Sequence, residues 1–471
     1  MKEWFNVQAF AWSDLGIFVA GCWIAGALIF SSLFGIHWLD PGDFKYRTAM
    51  YYHGVMVPVP ILVYLLAVKA LNLKILNRRM YAIGAIFSIL FVGLGSIFNF
   101  EKGLSFATVI QITGMVITDI LGITLAVALM IFAVTQNEKV KKMSAAFWLL
   151  FLSIIAILVA APLGHLSGWA IDLGINSFPG ATALLHATGM KPGDFQDGLL
   201  SSHSHLIVAA TLCGLVAITA IGFGYQSLTG WKRRMSTWGL WMIVISILSV
   251  AAVYVISALF GWEPPTFFVS GPNSVNGIPL DDLVLTFGET GFLVLMIGLA
   301  GAPVQAGKKN VPSIKVMNRI AIFLNWICGF VAVVVWGIYI EFNEVFYGAG
   351  MPPAPGAFND QVFIRAHMLY AFLFLPIIFS MLLAVENRPD KGKASREWLN
   401  PFALICLIGM TLGLIGECVW ISTLNKSIFL TGIIVMATAI IAGAVILWPG
   451  AESDKDRNLS HLSRTDLRMR D

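Results

Sequence analysis

The chain has 471 residues, of which 58% are hydrophobic and only 12% charged, and its formal net charge is +4. Soluble domains carry about 25% charged residues, so this composition excludes a water-soluble fold. So small a net charge gives no basis for nucleic-acid binding either.

Apolar runs of about 20 residues, each long enough to cross a bilayer core of about 30 Å, recur along the whole chain. In order they lie near 14–36, 47–70, 80–98, 106–134, 145–165, 200–225, 236–260, 282–304, 317–340, 360–385, 399–422 and 427–448. The first is too long for a cleavable signal and has no small-residue cleavage site, so it reads as a retained span. A backbone in lipid must satisfy its own hydrogen bonds, and these runs are too long for barrel strands, so each is expected to be a helix. The expected fold is all-α: a polytopic membrane helical bundle of 12 transmembrane helices, one domain over 1–450, with a charged tail over 451–471.

Short loops show which side each helix end faces, because cytoplasmic loops collect lysine and arginine. The loop after the second span has Lys74, Arg78 and Arg79, that after the fourth Lys139, Lys141 and Lys142, and that after the sixth Lys232, Arg233 and Arg234. Lys308, Lys309 and Lys315 follow the eighth span, and Arg388, Lys391, Lys393 and Arg396 the tenth. The intervening loops are acidic or nearly uncharged, as at Asp172, Asp194 and Asp197. Both termini are therefore expected in the cytoplasm, with the tail from Glu452 a disordered extension of a protein of the inner or plasma membrane.

Comparing the chain with itself shows one motif three times. Asp40-Pro-Gly-Asp-Phe44 precedes the second span and His53, and Lys191-Pro-Gly-Asp-Phe195 precedes the sixth span and His203-Ser204-His205. Ala354-Pro-Gly-Ala-Phe358 precedes the tenth span and His367. Pro and Gly are expected to set an outer turn, and the aromatic to anchor at the lipid–water boundary. The histidine then lies about two turns into the helix. The reading is a pseudo-threefold arrangement of four-helix arcs, near 10–140, 145–305 and 315–450.

The five cysteines all fall in apolar runs and form neither C-x-x-C nor C-x-x-C-H, which argues against covalent c-type haem and thiolate metal sites. They read as small apolar residues. Of eight histidines, His461 lies in the tail, His37 and His186 in outer loops, and His165 at the outer close of the fifth span. His53, His203, His205 and His367 remain inside the membrane, in its outer third. Polar groups in hydrocarbon are costly, so four imidazoles at one depth point to ligation of a metal, against the plainer reading of interhelical hydrogen bonds. Haem suits the spacing, because a bis-histidine site takes one axial imidazole from each of two helices. His203 and His205 are roughly 200° apart around one helix, so they face opposite flanks. Zinc would instead need ligands converging on one point.

Twelve spans with both ends inside, three four-helix arcs, Tyr52-His53-Gly54-Val55-Met56 in the second span and Ser202-His203-Ser204-His205-Leu206 in the sixth resemble the catalytic subunit of haem–copper oxidases. The His-x-His run is nearer the nitric oxide reductase-like branch, and the resemblance covers roughly residues 10 to 450. There are departures. In that family His-x-His lies on the tenth helix, and the sixth carries a single copper-ligand histidine. The family's adjacent His-His pair is missing from the seventh span, as is its His-Pro-Glu-Val-Tyr motif, so its copper site, or the second iron site of nitric oxide reductases, cannot be assembled in the family's way. By analogy the resemblance implies that His205 pairs with His367 across a low-spin haem, while His203 faces His53.

Three acids lie within spans, Asp119, Glu289 and Glu417. Glu289 and Glu417, near the histidine level, read as a proton relay or an oxygen ligand beside a haem, or equally as interhelical hydrogen bonds. Arg47 and Arg365 are placed to pair with haem propionates or to snorkel at the interface. Tyr254 reads first as a packing residue, and otherwise as a source of protons or electrons.

The expected function is a membrane-bound respiratory redox protein carrying one or two b-type haems. As an enzyme it would be an oxidoreductase, taking electrons from quinol or cytochrome c with the help of other membrane or periplasmic redox subunits, and passing them to a small acceptor. Two other classes fit the same features: a proton-coupled secondary transporter with twelve spans, and a haem-bearing membrane subunit without chemistry of its own.

Overall fold

The computed structural model describes residues 15–24, 26, 57–73, 76–102, 105–173, 181–260, 266–267 and 278–300. In chain order the helices are α1 (Leu15–Ile24), α2 (Pro58–Ala70), α3 (Arg78–Lys102), α4 (Ser105–Thr135), α5 (Asn137–Lys142), α6 (Ser144–Leu173), α7 (Ala181–Thr188), α8 (Pro192–Gly222), α9 (Gly230–Phe260) and α10 (Leu280–Leu299). A 3-10 turn at Tyr225–Ser227 joins α8 to α9. Among the described residues, five helices (α3, α4, α6, α8 and α9) contain stretches long and apolar enough to cross a membrane. Each of the first eight expected spans contains a helix. The last four, and with them two of the three Pro-Gly motifs, lie outside the described residues.

The bundle is built around α2, in which every residue from Pro58 to Val68 is buried. Helices α3, α4 and α8 pack against it, and α6 and α9 pack in turn on α8. A helix apolar on all sides is what a central position requires. Around it, α4 shows the opposite arrangement. Val109, Ile112, Val116, Ile120, Ile123 and Val127 recur at three- and four-residue intervals and are all exposed. That stripe is continuous along a helix of 31 residues, roughly 46 Å long. Water would not tolerate an uncovered apolar face of this length, whereas lipid solvates it.

Hydrophobic burial does little to join helices in lipid, so close packing and polar contacts must do it. On the inward face of α4, Thr118 Oγ1 and the Gly114 carbonyl meet the Ser88 hydroxyl of α3, at 2.5 Å and 2.7 Å. The Tyr81 hydroxyl donates to the Leu121 carbonyl at 3.1 Å. Helices α9 and α10 meet through glycine: a Cβ at Gly239 would run into the Gly291 carbonyl, and one at Gly291 would come within 2.8 Å of the Gly239 carbonyl. Ser246 Oγ donates to the Val284 carbonyl at 2.8 Å across the same seam.

At the end of the bundle carrying the basic loops, the Arg233 guanidinium lies 3.8 Å over the Tyr225 ring. It donates to the carbonyls of Tyr225 and Lys142. The basic loop after α4 and that before α9 therefore meet at one end. Gly224, with φ of 77°, ends α8 in the left-handed conformation that a side chain would strain.

Several features differ from the sequence expectation. The Pro192-Gly193 motif does not set a turn ahead of the helix; Pro192 is the first residue of α8, which begins eight residues before the expected 200. Proline's fixed φ suits the first helical turn, where its missing N–H has no partner to lose. Helix α6 runs through Pro162 to Leu173 rather than ending at 165, so His165 lies two turns inside it. The loop between α6 and α8 holds the short helix α7, with His186 exposed on it. A two-residue antiparallel pairing of Thr266–Phe267 (β1) with Ile278–Pro279 (β2) sits between α9 and α10.

Candidate functional site

The candidate site is the outer half of α8 and the two helices beside it. His203 and His205 project to opposite flanks, as their spacing requires. On one flank, Ser202 Oγ donates to the Tyr254 carbonyl of α9 at 3.0 Å. The His205 imidazole stacks on the Tyr254 ring, with centroids 5.3 Å apart and planes 24° from parallel. Tyr254 is buried while the His205 side chain is exposed, so the imidazole has an ordered support on one face and accessible surface elsewhere.

On the other flank His203 faces α6. Its Nδ1–H donates to the Ala160 carbonyl at 2.8 Å; a carbonyl only accepts, so the proton must be on Nδ1. The ring lies flush against Gly164, where a Cβ would come within 2.5 Å of Cε1, 2.6 Å of Nδ1 and 2.9 Å of Nε2. Only glycine permits that approach. Pro162 has no N–H to give the carbonyl one turn earlier, so α6 departs from regular hydrogen bonding close to the point where His203 docks.

These contacts test whether haem fits. An axial imidazole must present a nitrogen lone pair to a slot wide enough for a flat macrocycle. His205 is exposed and stacked on Tyr254, so its ring is not buried in a helix seam. His203 does not meet the requirement: three of its ring atoms lie on the surface of α6, and iron at Nε2 would have to share that closed seam. The two histidines lie on opposite flanks of α8, His205 against Tyr254 of α9 with its side chain exposed and His203 against α6.

A second polar cluster lies beside the first. His165 Nε2–H donates to Asp119 Oδ2 at 3.0 Å, joining α6 to α4. From the sequence Asp119 is an intramembrane acid with no assigned role, and His165 is expected at the outer surface. The available signal was the apolar sequence that continues through Leu166 and Trp169 to Leu173. Glu289 is half-buried on α10, next to Gly288, which packs on Ser246 of α9. His53, His367, Arg47, Arg365 and Glu417 lie outside the described residues. Among the described residues, no group of three or more histidine, cysteine, aspartate or glutamate side chains is placed to hold a metal ion. Cys22 and Cys213 are unpaired thiols.

No protein-family model matches this chain, no curated protein matches it, and no solved structure matches it.

Proposed function

We propose that this chain is an integral membrane b-type haem redox protein that passes electrons from a quinol or a cytochrome c to a small acceptor or a partner subunit. One observation carries the reading: an exposed imidazole, His205, is held against a buried aromatic ring within an apolar helix. Ionisable side chains within membrane-spanning helices are costly and mark functional sites. The sequence adds His367, expected at the same depth, as the second axial ligand. Arg47 and Arg365 are the cations for the propionates, and Glu289 and Glu417 the acids of a proton relay. His53 and His203 are left without a shared haem, so the proposal is one haem per chain and no copper site of the haem–copper oxidase kind.

Bound there, haem would supply reversible one-electron transfer. The residues of the chain do the rest. His205 would hold the iron, Tyr254 fixes the plane of the imidazole, and Ser202 ties that part of α8 to α9. His203 sets the distance between α8 and α6. The whole is read as twelve spans in three arcs, with both ends cytoplasmic, in the inner or plasma membrane and alongside other redox subunits.

The test compares reduced-minus-oxidised visible spectra of the purified full chain and two variants. The haem signal is expected in the unaltered protein, lost in H205A and retained in H203A. A folded, colourless protein would overturn the proposal, and equal loss in both variants would overturn the assignment of a single open flank.

The Asp119–His165 contact favours a second reading, a proton-coupled transporter. That class requires no haem, so the same spectrum separates the two.

A further inference from the structure

The seam between α4 and α6 holds two features that lipid makes costly. Asp119 and His165 meet at 3.0 Å, with side-chain exposures of 29% and 38%, within helices made mostly of apolar residues. Ionisable groups in such helices are costly, and they mark pathways for protons or ions or pair with one another. The second feature is independent. The Tyr64 hydroxyl of α2 is fully buried and finds no hydrogen-bond partner among the described residues. It sits in the same seam, 2.8 Å from where a Cβ of Gly122 would stand and beside Leu158 of α6. Gly122 is one turn beyond Asp119 on the same side of α4. The absence of a side chain at Gly122 makes room for the hydroxyl, and an unpaired buried hydroxyl is rare unless something comes to meet it.

We propose that the Asp119–His165 pair is a proton-exchange site inside the membrane. The step is proton transfer alone: the pair gains a proton on the carboxylate or the imidazole and later releases that same proton, with no bond between heavy atoms made or broken. Among the described residues, the groups around it are few. Helix α8 brings His203, held to the Ala160 carbonyl, and α2 brings Tyr64. Helix α3 packs on α4 and brings Tyr81, whose hydroxyl is bonded to the Leu121 carbonyl. The charges of α5 and α9 lie at the far end of the bundle, at Glu138, Lys139, Lys141 and Lys142 and at Lys232, Arg233 and Arg234. The site stands apart from the His205 flank and does not depend on haem.

A hydrophobic carbodiimide tests it on the unaltered full chain in lipid nanodiscs. The reagent adds only to a carboxyl group in its acid form, and the acid's proton passes to a carbodiimide nitrogen. Peptide mass spectrometry then reads the modification of Asp119. Labelling is expected to rise by roughly tenfold or more as the pH falls from 8 to 5, because only the acid form reacts. In H165Q, which keeps a polar side chain but no base, the pH profile is expected to move. Asp119 left unmodified at every pH, or modified at a rate independent of pH, would show a fixed structural pair and overturn the proposal. An unchanged profile in H165Q would overturn the role of the pair. The profile of the unaltered chain decides even if H165Q does not fold.

Discussion

Replacing Gly164 with alanine would bring a methyl group to 2.5 Å from His203 Cε1 and 2.6 Å from Nδ1. An unstrained carbon contact is about 3.5–4.0 Å, so the ring must retreat by about 1 Å or more. That movement breaks the 2.8 Å bond from Nδ1 to the Ala160 carbonyl. Overpacking costs about 1–3 kcal/mol and the lost hydrogen bond about 1 kcal/mol, so G164A is expected to destabilise the protein by about 2–4 kcal/mol. H203A alone removes the hydrogen bond and leaves a gap between α6 and α8, at a cost of about 1–3 kcal/mol. In the double variant the new methyl group enters that gap, so the two losses should not add. A shortfall of about 0.5–3 kcal/mol from the sum is expected for residues in direct contact. Unfolding of the intact chain in mixed detergent micelles, with increasing denaturing detergent, measures all three. Losses that sum to within about 0.5 kcal/mol would refute the placement of His203 on Gly164.

Other outcomes follow from the same structure. Gly239→Ala sets a methyl group against the Gly291 carbonyl, a backbone atom that cannot rotate aside, and is expected to cost about 1–3 kcal/mol in the same unfolding assay. Arg233→Lys keeps the charge but cannot span the carbonyls of Tyr225 and Lys142 while stacking on the Tyr225 ring, so a loss of about 1–3 kcal/mol is expected there as well. Tyr254→Phe keeps the ring under His205 and the carbonyl that Ser202 binds, and should leave the haem spectrum unchanged; Tyr254→Ala removes the ring and should broaden or shift it.

The sequence made the spans legible because lipid imposes one simple rule on them: an apolar run long enough to cross must be a helix. Among the described residues each of the first eight runs contains a helix, five of them with stretches long enough to cross, and the exposed stripe of α4 repeats every three or four residues. Helix ends were harder. Pro192 and Pro162 look alike as chain breakers, yet one opens α8, where its missing N–H would have no partner, and the other lies inside α6, where it removes one bond of a long helix. The opposed directions of His203 and His205 followed from helical geometry alone. What each would meet did not, since it depends on Gly164 giving access to α6 and on Tyr254 standing opposite on α9. The Asp119–His165 pair was least legible: its members are 46 residues apart, and neither belongs to a motif.

We propose an iron porphyrin beside α8 with His205 as its ligand. The most direct test is the haem content of the purified, folded full chain, together with its reduced spectrum before and after carbon monoxide. The account predicts one haem per chain and a spectrum that carbon monoxide leaves unchanged, because two imidazoles, His205 and His367, would fill both axial positions. A protein free of iron would contradict it outright, and a reduced haem that binds carbon monoxide would contradict the pairing of those two histidines.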